Sequence, residues 1–243
     1  MASKLIVGNI KMNMQFGEIA NYINIFKEIN NKNLVICPSY IYIPYFLNYS
    51  FKVGSQNVCA SEDGGFTGEV SALQLASIGV KYSIVGHSER RIKLKETDID
   101  INKKIKTCLK HKLKVILCVG ETKEEYNLLK KDVIIKRQIR DALAGVSELF
   151  NVIIAYEPVW AIGTNNVPDL NEIIKTIHYI KELVFELYNQ NVKVLYGGSI
   201  NEKNILALNK LEELDGFLIG SASINPNQFV EIIDKISWLH NSK

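Results

Sequence analysis

The 243-residue sequence lacks long apolar runs and carries only a small net charge. Its apolar stretches fall well short of the ~18 residues that a membrane-spanning helix needs. The formal net charge is +3, from 29 basic and 26 acidic side chains, which is too small for a surface built to hold a polyanion. We therefore expect a protein without a membrane span and without a nucleic-acid partner.

Cysteines are scarce as well, and none of the four forms a CxxC pair. Zinc sites favour closely spaced ligand pairs, and disulfide scaffolds have a much higher cysteine density. We therefore expect no metal, reduced thiols and a cytoplasmic location. The apolar stretch near the N-terminus is too short for a secretory signal, which favours the same location. The cysteines are Cys37, Cys59, Cys108 and Cys118.

The common cofactor motifs are also absent. No GxGxxG, GxxxxGK[ST] or HExxH string occurs, so the dinucleotide, phosphate-loop and zinc-protease signals are missing. Apolar residues make up 47% and charged residues 23% of the chain, an ordinary balance for a folded protein that excludes disorder and a coiled coil. No linker-like stretch interrupts this composition, so we expect one domain over residues 1–243.

What the sequence does contain is a regular alternation of short apolar runs and amphipathic stretches. Eight runs are nearly continuous in Val, Ile, Leu or Tyr, which is typical of strands buried on both faces of a parallel sheet. The runs are Leu5–Gly8, Leu34–Cys37, Lys52–Gln56, Tyr82–Val85, Lys114–Val119, Val152–Tyr156, Lys193–Tyr196 and Gly216–Ile219.

Helical periodicity fills the intervals between these runs. It is clear from Phe16 to Phe26 and in Ser71–Ile78, Glu124–Leu143 and Asn171–Tyr188. Eight strand–helix units predict an α/β fold in which a parallel sheet closes into a single (β/α)8 barrel. An open, doubly wound sheet is the alternative.

Polar residues follow several of the predicted strands. In a (β/α)8 barrel, catalytic residues lie on the loops after the carboxyl ends of the strands. Lys11, His87 and Glu157 follow the first, fourth and sixth runs, and glycine-bearing turns follow the last two. A carboxylate can remove a proton beside a carbonyl, while imidazole and ammonium stabilise the resulting oxyanion. Each residue alone has an ordinary structural explanation, but their shared placement at one rim favours a catalytic site that also holds a phosphate.

At this point the chain resembles the triosephosphate isomerase family. The matching strings occur in the order typical of the family and extend over essentially the whole sequence. They are GNIKMN at Gly8–Asn13, FTGEVS at Phe66–Ser71, VGHSERR at Val85–Arg91, CVGE at Cys118–Glu121, AYEPVWAIGT at Ala155–Thr164, YGGS at Tyr196–Ser199 and DG at Asp215–Gly216.

The resemblance implies a cofactor-independent isomerisation of dihydroxyacetone phosphate and D-glyceraldehyde 3-phosphate through an enediolate, a reaction of glycolysis and gluconeogenesis. By similarity, Glu157 is the base and His87 is the neutral electrophile that polarises the carbonyl. Lys11 and Asn9 would stabilise the enediolate and bind substrate, and Glu89 would pair with Lys11 or hold the rim. Ser88 would be a positioning group.

The same resemblance implies a closing lid, a phosphate site and a dimer. The lid would comprise Pro158, Val159, Trp160, Ala161, Ile162, Gly163 and Thr164, and its closure would exclude water. Gly163, Ser199, Gly220 and Ser221 would offer backbone N–H groups to the phosphate. Thr67 would enter a partner subunit near Asn13 and Met14 in a homodimer. No metal and no organic cofactor is implied.

Three departures from the family pattern stand out. Asn165-Asn166-Val167-Pro168 looks shorter than the usual end of the lid, and Ser221 stands where a second glycine is usual. Lys193 stands where an arginine often pairs with the aspartate matched by Asp215, so we expect a weaker ion pair. Two other functions fit parts of the pattern: a phosphate-binding barrel of another biosynthetic pathway, and a non-catalytic protein that binds a triose phosphate.

Overall fold

A computed structural model describes residues 3–164 and 168–241 of the chain, with side chains described up to residue 237. Eight strands alternate with helices, as the sequence predicts, and their bounds differ from the predicted runs by a single residue at two places. The strands are β1 (Leu5–Asn9), β2 (Leu34–Cys37), β3 (Lys52–Ser55), β4 (Tyr82–Val85), β5 (Lys114–Val119), β6 (Val152–Tyr156), β7 (Lys193–Tyr196) and β8 (Gly216–Ile219).

The strands close into a barrel in which each one pairs in parallel with the next. Closure is made by β1 and β8, which run in register from Leu5 opposite Gly216 to Gly8 opposite Ile219. Gly216 is required there because a Cβ atom would lie 2.0 Å from the carbonyl oxygen of Leu5. The predicted (β/α)8 barrel is therefore confirmed, and the open-sheet alternative is wrong.

The helices surround the barrel and end near the predicted positions. They are α1 (Phe16–Phe26), α2 (Ile43–Phe46), α3 (Ala72–Ser77), α4 (Ser88–Lys93), α5 (Asp98–Lys110), α6 (Lys123–Asn127), α7 (Lys131–Ala142), α8 (Leu170–Tyr188), α9 (Ile205–Asn209) and α10 (Pro226–Asn241).

One helical prediction needs correction. The stretch Glu124–Leu143 is two helices, α6 and α7, because the chain breaks at Leu128–Lys130. Leu129 adopts the left-handed conformation there, with φ at 56°. The sequence gives no sign of this break, because the residues on both sides favour helices. In a charge-rich segment with few apolar residues, the helical pattern looks much the same when it is shifted by one or two residues.

Two apolar layers hold the fold together. Side chains such as Val7, Cys37 and Ile116 fill the interior of the barrel, and a larger cluster packs the helices against its outside. The four cysteines are buried and unpaired. Among the described residues, no helix has the length and apolarity to cross a membrane.

The expected ion pair between Lys193 and Asp215 does not form. Asp215 instead accepts a hydrogen bond from the backbone N–H of Val194 and pairs with Lys181 on α8, whose Nζ lies 2.8 Å from Oδ2. The carboxylate therefore ties the end of the sheet to a helix outside the barrel. The β7 register places Lys193 opposite Ile153 of the barrel interior, away from that helix.

Candidate active site

The rim at the carboxyl ends of the strands begins with Asn9 and Lys11. Asn9 ends β1 and is buried, and its Oδ1 accepts a hydrogen bond of 3.1 Å from the backbone N–H of Lys11. Lys11 itself is left-handed, with φ at 57°. Non-glycine residues in that conformation cost free energy and are concentrated at functional sites.

Two residues that sequence reasoning missed hold this strained turn. Gln56 donates from Nε2 to the carbonyl oxygens of Lys11 and Cys37, at 2.8 and 2.9 Å, and Ser39 donates from Oγ to that of Lys11 at 3.1 Å. Gln56 follows β3 at the position that alternation turns into the barrel, two residues after the interior Gly54. A polar residue at an interior position just after a strand is the feature of the sequence that could have identified Gln56.

His87 lies at the start of α4 and is buried. The backbone N–H of Glu89 donates to its Nδ1 at 3.2 Å, so Nδ1 is the acceptor nitrogen of the ring and Nε2 is left as the donor. That Nε2 lies 3.1 Å from Oε1 of Glu157. The helix start thus fixes both the ring tautomer and its direction toward the carboxylate.

Glu157 follows β6 and has only 2% of its surface exposed. Its Oε2 accepts a hydrogen bond of 3.1 Å from the backbone N–H of Ser88, so both oxygens have partners. Two glycines leave room for it. A Cβ on Gly120 would lie 1.7 Å from the carbonyl oxygen of Glu157, and one on Gly197 would lie 3.0 Å from its Cγ.

Two neighbouring groups respond to this arrangement. Burial, followed by the Glu157 carboxylate, raises the pKa of the Cys118 thiol well above its usual range, so Cys118 stays a neutral packing group. Burial also acts to raise the pKa of Glu89, but the Lys11 ammonium at 2.8 Å from Oε1 outweighs it and lowers that pKa. Glu89 therefore remains ionised and pairs with Lys11, one of the two roles expected for it.

A small cavity of about 50 Å³ joins these groups to the expected phosphate turns. A Cβ on Gly220 would lie 3.3 Å from Cε of Lys11, so the turn after β8 reaches the β1 rim. Ser221 opens the next turn with its side chain exposed, while Ser199 is buried. The lining residues include Asn9, Lys11, His87, Glu157, Gly163, Ser199, Gly220 and Ser221.

The expected lid packs against the loop after β5. Val159–Ala161 forms a short 3-10 turn, and the Trp160 indole donates from Nε1 to Oε1 of the buried Glu121 at 2.9 Å. Tyr126 of α6 contacts the indole with ring centroids 4.7 Å apart, and the Lys123 ammonium lies 4.7 Å from its centroid. The expected difference at Asn165-Asn166-Val167 lies outside the described residues.

The residues expected to contact a partner subunit lie near the same rim. Thr67 is exposed on a loop between β3 and α3, and Phe66 beside it has half of its surface exposed. Asn13 is exposed and donates from Nδ2 to the carbonyl oxygen of Ile10 at 2.8 Å. Met14 is half-buried with φ at 72°.

Known proteins resemble this chain over nearly its whole length. The triosephosphate isomerase family profile matches residues 4–236. The triosephosphate isomerase of Buchnera aphidicola subsp. Baizongia pistaciae is 40% identical, and the alignment covers 96% of this chain and 99% of that protein. Those of Thermodesulfovibrio yellowstonii and Aquifex aeolicus are each 39% identical, over 96% and 95% of this chain and 99% and 98% of their own lengths. The chain therefore belongs to the triosephosphate isomerase family.

Proposed function

We propose that the chain interconverts dihydroxyacetone phosphate and D-glyceraldehyde 3-phosphate through an enediolate, without a cofactor. The observation that carries this proposal is the pairing of a buried carboxylate with an imidazole N–H, Glu157 Oε1 and His87 Nε2, at 3.1 Å. This pair lines one cavity together with Lys11 and the turns after β7 and β8. This isomerisation needs a base, an electrophile and a cation, placed beside a turn that can bind the substrate phosphate.

Glu157 acts as the base that carries a proton between the two substrate carbons. Its burial removes water that would otherwise solvate the carboxylate and weaken its basicity toward carbon. The backbone N–H of Ser88 holds Oε2, while Oε1 lies beside His87. Substrate that enters the cavity competes for these contacts, which directs the carboxylate toward the reacting carbons.

His87 and Lys11 stabilise the oxyanion that develops on the substrate. The Nε2–H of the neutral ring donates a hydrogen bond, because Nδ1 is already occupied by the N–H of Glu89. The Lys11 ammonium supplies a positive charge, and its ion pair with Glu89 fixes its position. Asn9 supports the turn that carries Lys11 and adds a polar group to the cavity.

The turns after β7 and β8 and the lid bind the phosphate. The usual phosphate site of this barrel lies after those two strands. Gly163, Ser199, Gly220 and Ser221 line the cavity and supply backbone N–H groups. Movement of the segment Pro158–Thr164 closes the site and strengthens each electrostatic contact inside it.

Replacement of Glu157 tests this function. Glu157→Gln removes the base but keeps the shape and the phosphate turns, so kcat should fall at least ~10³-fold while a phosphate-bearing inhibitor still binds. The assay couples isomerisation of glyceraldehyde 3-phosphate to a dehydrogenase. Glu124→Gln, an exposed carboxylate on α6, is the matched control and should keep full turnover. Normal turnover in Glu157→Gln would exclude Glu157 as the base, and inactive wild-type protein would exclude the reaction.

The assembly and location follow as further proposals. The chain forms one domain over residues 1–243, works in the cytoplasm and forms a homodimer through the Thr67 loop and the region of Asn13 and Met14. Exposed apolar side chains near these residues support the dimer, since Met12 is 95% exposed and Phe66 50%. Sedimentation of dilute protein tests it, and a fully active monomer would contradict it.

A further inference from the structure

The end of the barrel opposite the catalytic rim contains three lysines at interior positions. Each begins a strand: Lys52 begins β3, Lys114 begins β5 and Lys193 begins β7. Interior positions of such a barrel are normally filled by branched apolar side chains in layers contributed by alternate strands. Three charged residues in one layer therefore depart from what packing alone would select.

The strand register establishes that these lysines face into the barrel. Residues opposite each other on neighbouring parallel strands share a face of the sheet. Each lysine is opposite a residue of the apolar cluster that fills the interior. The pairs are Lys52 with Val35, Lys114 with Tyr82 and Lys193 with Ile153.

Lys52 lies within reach of the positive charges of the two other lysines at this mouth. Partial burial, and after it the charges of Lys114 and Lys193, lower the pKa of Lys52. Lys114 Nζ also lies 5.7 Å from the centroid of the Tyr82 ring, which favours a position over the interior. Lys52 and Lys114 are half-buried and Lys193 is exposed, so the charged ends meet water at the opening while the stems pack below.

This positive cluster has no carboxylate partner within the part of the chain that the structure describes. Among the described residues, the charged groups that act on Lys52 are the two other lysines. Asp215, which comes just before β8 at the same end, is engaged by Lys181 and by the backbone N–H of Val194. Like charges held together without a counter-charge favour a bound anion, and more so when the anion carries several charges.

We propose that the barrel mouth formed by Lys52, Lys114 and Lys193 binds a di- or triphosphate anion. Lysine binds phosphate as a point charge, and three lysines from separate strands match a chain of phosphoryl groups better than a single orthophosphate. The site is separate from the catalytic cavity, because the four residue steps from Lys52 to Gln56, which lies at the catalytic rim, span roughly 13 Å of strand. The anion therefore binds without displacing a triose phosphate.

Titration with inorganic tripolyphosphate tests the site. By calorimetry at low salt, wild-type protein should bind one tripolyphosphate whose dissociation constant differs from its inhibition constant in the isomerase assay. The triple variant Lys52→Gln/Lys114→Gln/Lys193→Gln should bind it at least about ten-fold more weakly and keep its isomerase activity. Raising the salt concentration should weaken wild-type binding, since the site is open to solvent.

Matched variants separate a site from a general effect of charge. Three exposed lysines lie outside the barrel interior, close to the ends of helices or strands at the same end of the barrel. They are Lys27, Lys32 and Lys210. Their triple Gln variant loses the same charge and should bind tripolyphosphate as wild type does. Lys→Arg at the three mouth positions should also retain binding, and single Gln variants provide the test if the triple Gln variant does not fold.

The results also distinguish the source of the phosphate chain. A nucleoside triphosphate that binds as tightly as tripolyphosphate would mean that the phosphates alone are recognised, whereas tighter binding would mean that the base or sugar adds contacts. Equal affinity in wild type and in the mouth variants would overturn the proposal. The proposal would also be overturned if the control variant bound tripolyphosphate as weakly as the mouth variant. It would be overturned as well if the dissociation constant of tripolyphosphate equalled its inhibition constant in the isomerase assay for every variant. None of these results bears on the isomerase activity.

Discussion

The Trp160 indole in the expected lid is bound to Glu121, a buried carboxylate after β5, through a hydrogen bond of 2.9 Å from Nε1 to Oε1. The Tyr156 hydroxyl donates to the same oxygen at 3.2 Å, so Glu121 connects the lid to the strand that precedes it. The ring of Tyr126 and the ammonium of Lys123 also contact the indole. Movement of Trp160 away from this position breaks these contacts.

Tyr126→Ala should therefore loosen the docked position of Trp160. An aromatic pair contributes about 0.5–1.5 kcal/mol, which corresponds to roughly a two- to thirteen-fold change in the equilibrium constant between the docked and undocked positions. In a Trp238→Phe background, Trp160 is the one remaining tryptophan. Quenching of its fluorescence by acrylamide should then rise in Tyr126→Ala. Tyr45→Ala, which removes a ring packed on Phe16, is the control. Unchanged quenching would show that Tyr126 does not hold the lid.

Gln56 should act as a positioning residue for Lys11. Gln56→Ala removes both hydrogen bonds from Nε2, one of which holds the carbonyl of the strained Lys11. A small displacement of the ammonium then lowers kcat/KM by about ten-fold, because catalysis depends on position to within an ångström. Unfolding by urea should change by only about 1 kcal/mol. Gln190→Ala is the control, since it removes two comparable hydrogen bonds near the start of β6 and should leave kcat/KM unchanged. Equal kcat/KM in the two variants would refute the positioning role of Gln56.

Glu89 and Glu121 should contribute to stability with opposite dependence on pH. Despite burial, Lys11 lowers the pKa of Glu89 in the folded protein, so its contribution is present above the unfolded pKa of about 4.3 and is lost as pH falls below it. Burial raises the pKa of Glu121, and this outweighs the hydrogen bonds from Trp160 and Tyr156. Ionisation of Glu121 therefore lowers the stability of the folded protein, and this loss grows as the pH rises above the unfolded pKa of about 4.3.

Urea unfolding at fixed protein concentration between pH 3.5 and 7 measures this contrast. The stability lost in Glu89→Gln should be greatest at neutral pH and disappear in acid. Glu121→Gln should show the reverse, with its most favourable change relative to wild type at neutral pH. The two variants are compared by their difference in unfolding free energy from wild type, plotted against pH. If this difference varied with pH in the same way in both variants, both assignments would be contradicted.

The barrel and most of the site residues were predictable because their signals are local. Runs of β-branched residues identify buried strands, and a strand end fixes which rim a following residue joins. The tertiary contacts were not predictable, since Gln56 and Ser39 contact Lys11 from the loops after β3 and β2. The same reason explains the error at Asp215: which of two lysines pairs with it depends on how α8 packs outside the barrel.

Leu129 should be a site of removable strain. Its φ of 56° places a bulky side chain in the left-handed region, and 92% of its surface is exposed, so little packing compensates. The left-handed conformation costs roughly 1–2 kcal/mol for a non-glycine residue, whereas glycine loses about 0.5–1 kcal/mol more backbone entropy on folding. Leu129→Gly should thus stabilise the protein by up to about 1.5 kcal/mol in urea unfolding.

The neighbouring residue offers the matched control for that change. Leu128 is also exposed, at 62%, but its φ of −85° is ordinary. Leu128→Gly relieves no strain and carries the same entropy cost, so it should destabilise the protein by about 0.5–1 kcal/mol. The opposite signs of the two adjacent substitutions are the critical measurement. If both variants lose stability, the break between α6 and α7 does not store strain at Leu129, and contacts of the leucine side chain outweigh its backbone conformation.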